Sequence, residues 1–226
     1  MRLAALLILT SLSVQAEVAE WQERLDREGI TVSVRQVPGS KYEEFLAVVD
    51  LQTSAASAVA LLQDNSACAK WVHRCVSSEV IETVSTTERY FHQVTALPFP
   101  ARSRDAVFHG AIHFDNDRGI TVTLASAQDR LPVKKHVRIT ETYGHYHIES
   151  NSADAIRLTW QFYVDPAGSL PAFMVNSMVT DLPFESLSAF RELVTEPPYD
   201  RANFVYDASG APIDINFITP TQPGVN

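Results

Sequence analysis

The two cysteines of the sequence, Cys68 and Cys75, lie on either side of Trp71. Two thiols this close together can form a disulfide or supply half of a metal site. A metal site needs a second pair of ligands at a suitable spacing, and we find no such pair. We therefore favour a disulfide, which would be stable in an oxidising compartment.

Histidine is the other residue type here that commonly binds metal. His109 and His113 lie on one face of a predicted strand, and His145 and His147 lie on one face of another. In both strands the opposite face is the more apolar one. We therefore expect these histidines to face solvent, and we predict no metal ion.

The motifs of common catalytic mechanisms are absent from the sequence. We find no Gly-x-Ser-x-Gly elbow, no glycine-rich phosphate loop and no dinucleotide-binding fingerprint. We predict that the protein is not an enzyme and needs no cofactor. One alternative stays open: an enzyme that uses an acid–base residue inside an apolar cavity on a hydrophobic small molecule. His92 is its best candidate.

The charge balance argues against nucleic acid as a partner. The chain has 27 acidic residues against 18 basic ones, and its formal net charge is -9. No basic stripe is present to neutralise a phosphate backbone.

The first residues have the pattern of a secretory signal. Met1 and Arg2 precede an apolar run from Leu3 to Val14, and small residues follow up to Ala16. The run is too short to span a bilayer, so we expect a cleaved signal over residues 1–16 and a periplasmic or secreted protein.

Strand patterns dominate the remaining chain. The clearest covers Ala155–Asp165, where Ile156, Leu158 and Trp160 alternate with polar residues. Further strands are predicted over residues 30–37, 45–51, 79–84, 88–96, 104–115, 119–127 and 137–149.

Helices are predicted before, between and after these strands. The first covers residues 18–28, with Gly29 as its stop, and a second follows Thr53 as its cap and runs through Leu62. A third covers residues 172–194, with a kink or break near residues 180–182 because Pro183 lies inside it. The proline-rich segment 196–226 reads as an irregular tail. We predict one α+β domain over residues 17–195, a curved antiparallel sheet with a long C-terminal helix across its mouth and a cavity between them.

Four stretches of sequence resemble the START (StAR-related lipid transfer) family, especially its exported bacterial members. They are the Cys68 to Cys75 segment, Leu97-Pro98-Phe99-Pro100 with Arg104-Asp105, Leu158-Thr159-Trp160 leading to Asp165-Pro166, and Phe173-Met174-Val175-Asn176. The resemblance extends from about Trp21 to Val194.

The resemblance implies a helix-grip fold with a lipid tunnel. The lid would be residues 170–193 and the gating loop residues 96–103. The acid–arginine pair of cholesterol-binding members would fall near Phe91 and Gly110, which are uncharged here, so no sterol is implied. We expect a periplasmic carrier or sensor for one hydrophobic ligand, monomeric and in transient contact with membranes.

The candidate ligand-binding residues are those expected to face the gap between sheet and helix. On the strand from Arg104, the residues Ala106, Phe108, Gly110 and Ile112 share one face with it. Arg104 would offer its guanidinium to a polar ligand group, or hold backbone carbonyls of the neighbouring loop. The full set is Trp71, Phe91, Arg104, Phe108, Phe114, Trp160, Phe162, Phe173, Met174, Asn176 and Met178.

Overall fold

The computed structural model describes residues 19–115, 119–133, 135–210 and 212–217. The strands are β1 Gln22–Arg27, β2 Ile30–Gln36, β3 Glu43–Leu51, β4 Cys75–Thr83, β5 Glu88–Thr95, β6 Arg104–Phe114, β7 Gly119–Ser126, β8 Val137–Arg138, β9 Glu141–Ser152, β10 Ala155–Asp165, β11 Ala202–Tyr206 and β12 Pro212–Phe217. The helices are α1 Ala55–Gln63, α2 Cys68–Trp71 and α3 Ala172–Leu193. The predicted signal, residues 1–16, lies outside the described residues.

One large sheet carries most of the chain. It is ten-stranded, in the order β1-β2-β3-β10-β9-β7-β6-β5-β4, and β8 pairs with β6 off this path. Neighbours along the order are antiparallel, as the alternating patterns predict. Ile156, Leu158 and Trp160 are buried on the inner face of β10, whereas Arg157 between them is exposed. The predicted α+β fold with its curved sheet is confirmed.

The prediction of a helix over residues 18–28 was wrong. Residues 22–27 form β1, which pairs with β2 through a two-residue turn at Glu28 and Gly29. Both turn residues have positive φ, 55° and 74°, as in a type I′ hairpin. The segment has good helix formers, but pairing with β2 outweighs that preference.

Smaller corrections concern the ends of elements. Ser54 rather than Thr53 caps α1, because its hydroxyl accepts from the backbone N–H of Ser57 at 3.1 Å. The strand predicted over residues 137–149 is divided into β8 and β9.

The segment predicted as an irregular tail contains a hairpin of β11 and β12. The Phe204 ring packs edge-on against Phe114 with centroids 5.7 Å apart, so the large sheet anchors this hairpin. Its strands are short and flanked by prolines, which is why their pattern resembled a loop.

The long C-terminal helix runs through Pro183 without a break. Its C-terminal half is the more deeply buried one, since Leu187 and Phe190 are fully buried there, and the helix as a whole packs against β2, β3 and α2. The Ser186 hydroxyl accepts from the backbone N–H of His73 at 2.9 Å. The Phe190 ring also meets Trp71 edge-on at 5.1 Å.

The disulfide between Cys68 and Cys75 is confirmed. It links the start of α2 to the start of β4 and so fixes the short turn that carries Trp71. Trp71 is thereby held between Phe190 of α3 and Tyr146 of β9.

Gly144 of β9 lets the ring of Phe162 lie over the inner face of the sheet. The two residues are cross-strand partners, and a Cβ atom at Gly144 would overlap the Gln161 carbonyl oxygen and the Phe162 ring. We predict that Gly144→Ala lowers the free energy of unfolding by about 1–3 kcal/mol, because backbone must move. Chemical denaturation of wild type and Gly144→Ala measures this difference in the free energy of unfolding.

Gly110→Ala is the matched control on the same inner face. Its added Cβ would meet the end of the Phe91 side chain at 3.2 Å, which can shift. Equal losses in the two variants would contradict the stated role of Gly144.

Candidate functional site

A cavity lies between the inner face of the sheet and the N-terminal half of α3. Its volume, counted as the space open to the centre of a water molecule, is about 200 Å³, and on that measure one water needs roughly 10–15 Å³. The wall is mostly apolar, with residues from every layer: Phe45, Trp71, Phe91, Phe108, Val122, Leu124, Tyr146, Trp160, Phe162, Met174, Met178 and Leu182.

Aromatic side chains form a continuous belt around this cavity. Successive ring centroids are 5.1 Å apart for Phe91 and Phe108, 6.2 Å for Phe108 and Phe162, and 6.1 Å for Phe162 and Trp160. Tyr146 stacks on Trp160 at 4.9 Å and completes the belt towards α2. Stacked and tilted pairs of this kind stabilise one another by about 0.5–1.5 kcal/mol each beyond the area that they bury.

Most of the predicted site residues lie in this wall. They are Trp71, Phe91, Arg104, Phe108, Trp160, Phe162, Met174 and Met178. The inner-face prediction for β6 also holds from Arg104 to Ile112. Contact between these eight residues and a ligand stays a prediction.

Phe114, Phe173 and Asn176 lie outside the cavity wall. Phe114 is at the far end of β6 and contacts the C-terminal hairpin through Phe204. Phe173 is 76% exposed in the first turn of α3. The Asn176 side-chain oxygen accepts from the backbone N–H of Glu43 at 3.3 Å. Helical periodicity points Met174 and Met178 inward, so Phe173 and Asn176 project elsewhere.

Arg104 holds two loops at one end of the cavity, which we call its mouth. They are the loop of residues 96–103 and the turn at Pro166 and Ala167. Its side chain donates from Nε to the Pro166 carbonyl at 2.9 Å, from Nη1 to the Arg102 carbonyl at 2.6 Å and from Nη2 to the Ala167 carbonyl at 3.0 Å. The residue is only 4% exposed, and burial lowers the pKa of its guanidinium. Of the two roles considered for Arg104, the structure shows the one that holds carbonyls.

Asp105 faces the opposite side of the sheet and makes a second anchor there. Its Oδ2 atom accepts from Arg138 at 2.8 Å and lies 2.9 Å from Nε2 of His92. Arg138 in turn donates to the carbonyls of Gln128 and Leu131. His92 therefore lies on the outer face of the sheet. The alternative of an enzyme with His92 as an acid–base residue in the cavity requires it to line the cavity, and it does not.

The other histidines considered above also lie away from the cavity wall. His109 is paired with Glu88 at 2.7 Å, and His147 lies 3.0 Å from the Thr121 hydroxyl. Within the described ranges, no group of three or more His, Cys, Asp or Glu side chains is arranged to hold a metal ion.

Sequence reasoning missed a polar end of the cavity. It is formed by Gln63, Asn65, Ser78, Thr87 and Arg89, which we call the polar end from here on. The alternation of β5 carries the signal that could have found Arg89, because a strand that turns Phe91 inward turns Arg89 inward as well.

Two phenylalanines project from the segments that flank the mouth. Phe99 is 97% exposed in the loop of residues 96–103, and Phe173 is 76% exposed at the start of α3. Leu97, two residues before Phe99, and Met174, next to Phe173, both line the cavity. Among the described residues, no helix is long and apolar enough to cross a membrane.

Comparison with known proteins gives consistent similarities. The sequence matches the family described as START domain over residues 5–197. The crystal structure of a STAR-related lipid transfer protein (fragment 25-204) from Xanthomonas axonopodis matches with a TM-score of 0.73 and 33% identity, covering 78% of this chain and 99% of that chain.

Two further similarities are more distant. Human STARD10 has a TM-score of 0.70 at 20% identity, covering 79% of this chain and 74% of that chain, which is a likeness of fold. An uncharacterized protein of Pseudomonas aeruginosa is 25% identical over 173 residues, which are 76% of this chain and 85% of that protein.

The Asp105 anchor makes stability sensitive to acid. Burial alone would raise the pKa of Asp105, but the hydrogen bonds from Arg138 and His92 outweigh burial and hold the pKa below its ordinary value. Such a carboxylate stabilises the fold above the unfolded-state pKa of about 4, and this contribution is lost as the pH falls below it. We predict that Asp105→Asn costs about 3–5 kcal/mol at neutral pH, because Arg138 is left buried without its partner.

Urea unfolding at neutral pH and at about pH 3 measures both effects, since the difference between wild type and Asp105→Asn should shrink in acid. The control is Asp50→Asn, which removes the exposed ion pair with Arg157 and should change stability little. If the two variants were equally stable, the anchor would have no structural role.

Proposed function

Because this chain belongs to the START domain family, we propose that it encloses one lipid-like molecule in the cavity of its helix-grip fold. The aromatic belt is the observation that carries the proposal, since it lines an apolar space between sheet and helix. The protein acts as a carrier or sensor for that molecule, and its binding domain spans residues 17–195.

Apolar burial supplies the driving force for binding. A ligand that buries roughly 300 Å² of apolar surface gains about 7 kcal/mol at 25 cal/mol per Å². That gain can offset the cost of ordering a lid and the mouth loops. A lipid that crosses an aqueous compartment needs to be enclosed in this way.

The proposed compartment is the periplasm or the exterior of the cell. The disulfide between Cys68 and Cys75 supports it, because such bonds persist in oxidising compartments. The signal pattern at residues 1–16 is the second support. We propose that the exported protein works as a monomer that visits membranes transiently.

Filling the cavity should abolish binding. Native mass spectrometry of the protein purified from the periplasm of its own host should detect one bound lipid, which Ala106→Phe should lack. Ala106 is buried in the cavity wall beside Phe108, so the added ring occupies the space a ligand would fill. Met178→Trp fills the same space from α3.

Ala125→Phe is the control, because Ala125 is exposed on the outer face of β7. It should retain the lipid of the wild type. Wild-type protein that carries no lipid, or folded cavity-filling variants that carry as much as wild type, would refute the proposed function.

Membrane visits should depend on the exposed rings at the mouth. We predict that Phe99→Ser and Phe173→Ser slow transfer of a fluorescent lipid between vesicles severalfold while leaving its affinity unchanged, because insertion of each ring into the bilayer is lost. Stopped-flow dequenching measures the rate.

Tyr206→Ser is the matched control, since Tyr206 is another exposed aromatic residue, 58% accessible, in the C-terminal hairpin. A rate that falls equally in all three variants, or in none, would contradict membrane contact through the mouth.

A further inference from the structure

We propose that the polar end of the cavity is a subsite for the anionic head group of the bound lipid, and that the guanidinium of Arg89 holds it. This inference rests on the proposed function and adds the chemical class of the ligand: an amphiphile with one apolar chain and one carboxylate or phosphate group. Arg89 was not among the residues expected from the sequence.

Arg89 is a half-buried cation whose hydrogen bonds are incompletely used. Within the described residues, its Nη1 donates to the Gln63 carbonyl at 2.8 Å and its Nη2 to the Gln63 side-chain oxygen at 2.9 Å. These bonds cap the C-terminal end of α1, which favours a cation. They leave Nε–H and one N–H on each terminal nitrogen available for a ligand.

The described chain gives Arg89 no carboxylate partner within salt-bridge distance. Asp64 also lines the cavity, but its Oδ1 accepts from Ser66 and Ala67, and its Oδ2 accepts from the Tyr199 hydroxyl at 2.7 Å. Burial lowers the pKa of Arg89, as expected for a cation without a compensating acid. A bound anion would supply that compensation.

The other arginines of the cavity wall are unsuited to this role. Arg104 uses its Nε–H and one N–H on each terminal nitrogen to hold the mouth loops, and it is only 4% exposed. Arg74 is exposed to solvent. Arg89 is therefore the wall cation that is partly buried and keeps its Nε–H together with one N–H on each terminal nitrogen.

The surroundings of Arg89 also suit a head group. Gln93 lines the cavity from the same strand, and Thr87 lines it from the turn just before that strand; both offer further polar groups. Asn65 donates to the Ser78 hydroxyl at 2.8 Å and closes the polar end towards β4. Phe91 lies on the same face of β5 and begins the aromatic belt, so a head group at Arg89 would direct its apolar chain along the belt.

The test compares probes that share one C18 chain and differ in charge. Oleate and 1-oleoyl-lysophosphatidate are anionic, and oleyl alcohol is neutral; competition against a fluorescent lipid gives each affinity. We expect wild-type protein to prefer the anionic probes. Arg89→Met should weaken their binding at least about tenfold and leave oleyl alcohol within about twofold, because a charge-assisted hydrogen bond is lost.

Arg89→Lys keeps the charge and should recover part of the affinity for anionic probes. Arg157→Met removes an exposed cation on the outer face and should change no affinity. Excess inorganic phosphate should not displace oleate, and displacement would indicate a site for free anions instead of a lipid head group.

Three other outcomes overturn the proposal in distinguishable ways. If wild type binds oleyl alcohol as tightly as oleate, and Arg89→Met changes neither, the cavity binds lipids but has no anionic subsite. If wild type binds none of the three probes, the proposed function fails together with this inference. An equal loss for all probes in Arg89→Met would assign Arg89 only its cap on α1.

Discussion

The structure depends on α3, which packs against the sheet along its whole length but faces the cavity only along its N-terminal half. Leu187 and Phe190 are fully buried in the C-terminal half, whereas Met174 and Met178 in the N-terminal half face the cavity. A twisted antiparallel sheet of this size curves, and one helix covers only part of its inner face. The aromatic belt lines the remaining apolar surface, and the cavity lies between these rings and the N-terminal half of α3.

The elements that set this geometry are the ones that the sequence predicts best. The alternation of β10 and the helical spacing of α3 are long and consistent, so both elements were placed within a residue or two. The sequence did not predict β1, because Gln22 to Arg27 prefer a helix locally and become a strand only by pairing with β2. The same holds for β11 and β12, whose short strands gain their order from Phe204 against Phe114.

The cavity wall was predictable where a side chain's direction follows from strand or helix periodicity. Periodicity cannot reveal a partner from a distant segment, which is why Phe114 and Asn176 were misplaced. Arg89 shares its face with Phe91, but β5 carries charged and polar residues on both faces, so its alternation did not single out Arg89. Two of the three carbonyls that Arg104 holds belong to Pro166 and Ala167, far along the chain, and no local pattern in the sequence encodes them.

Arg104 and Asp105 are adjacent, yet they pin loops on opposite faces of the sheet, so the mouth beside β6 is firmly held. In the proposed function, a ligand would then be exchanged where the N-terminal half of α3 borders the mouth, beside the exposed Phe173. Pro183 lies between the deeply buried C-terminal half of α3 and the half that covers the cavity, and it lacks the N–H that would bond to the carbonyl of Val179. A helix that bends there sacrifices fewer hydrogen bonds than one that bends elsewhere. A bend at Pro183 would leave Leu187 and Phe190 in place, but it would have to break the hydrogen bond between Asn176 and Glu43 and separate Val175 from Tyr42 and Tyr163.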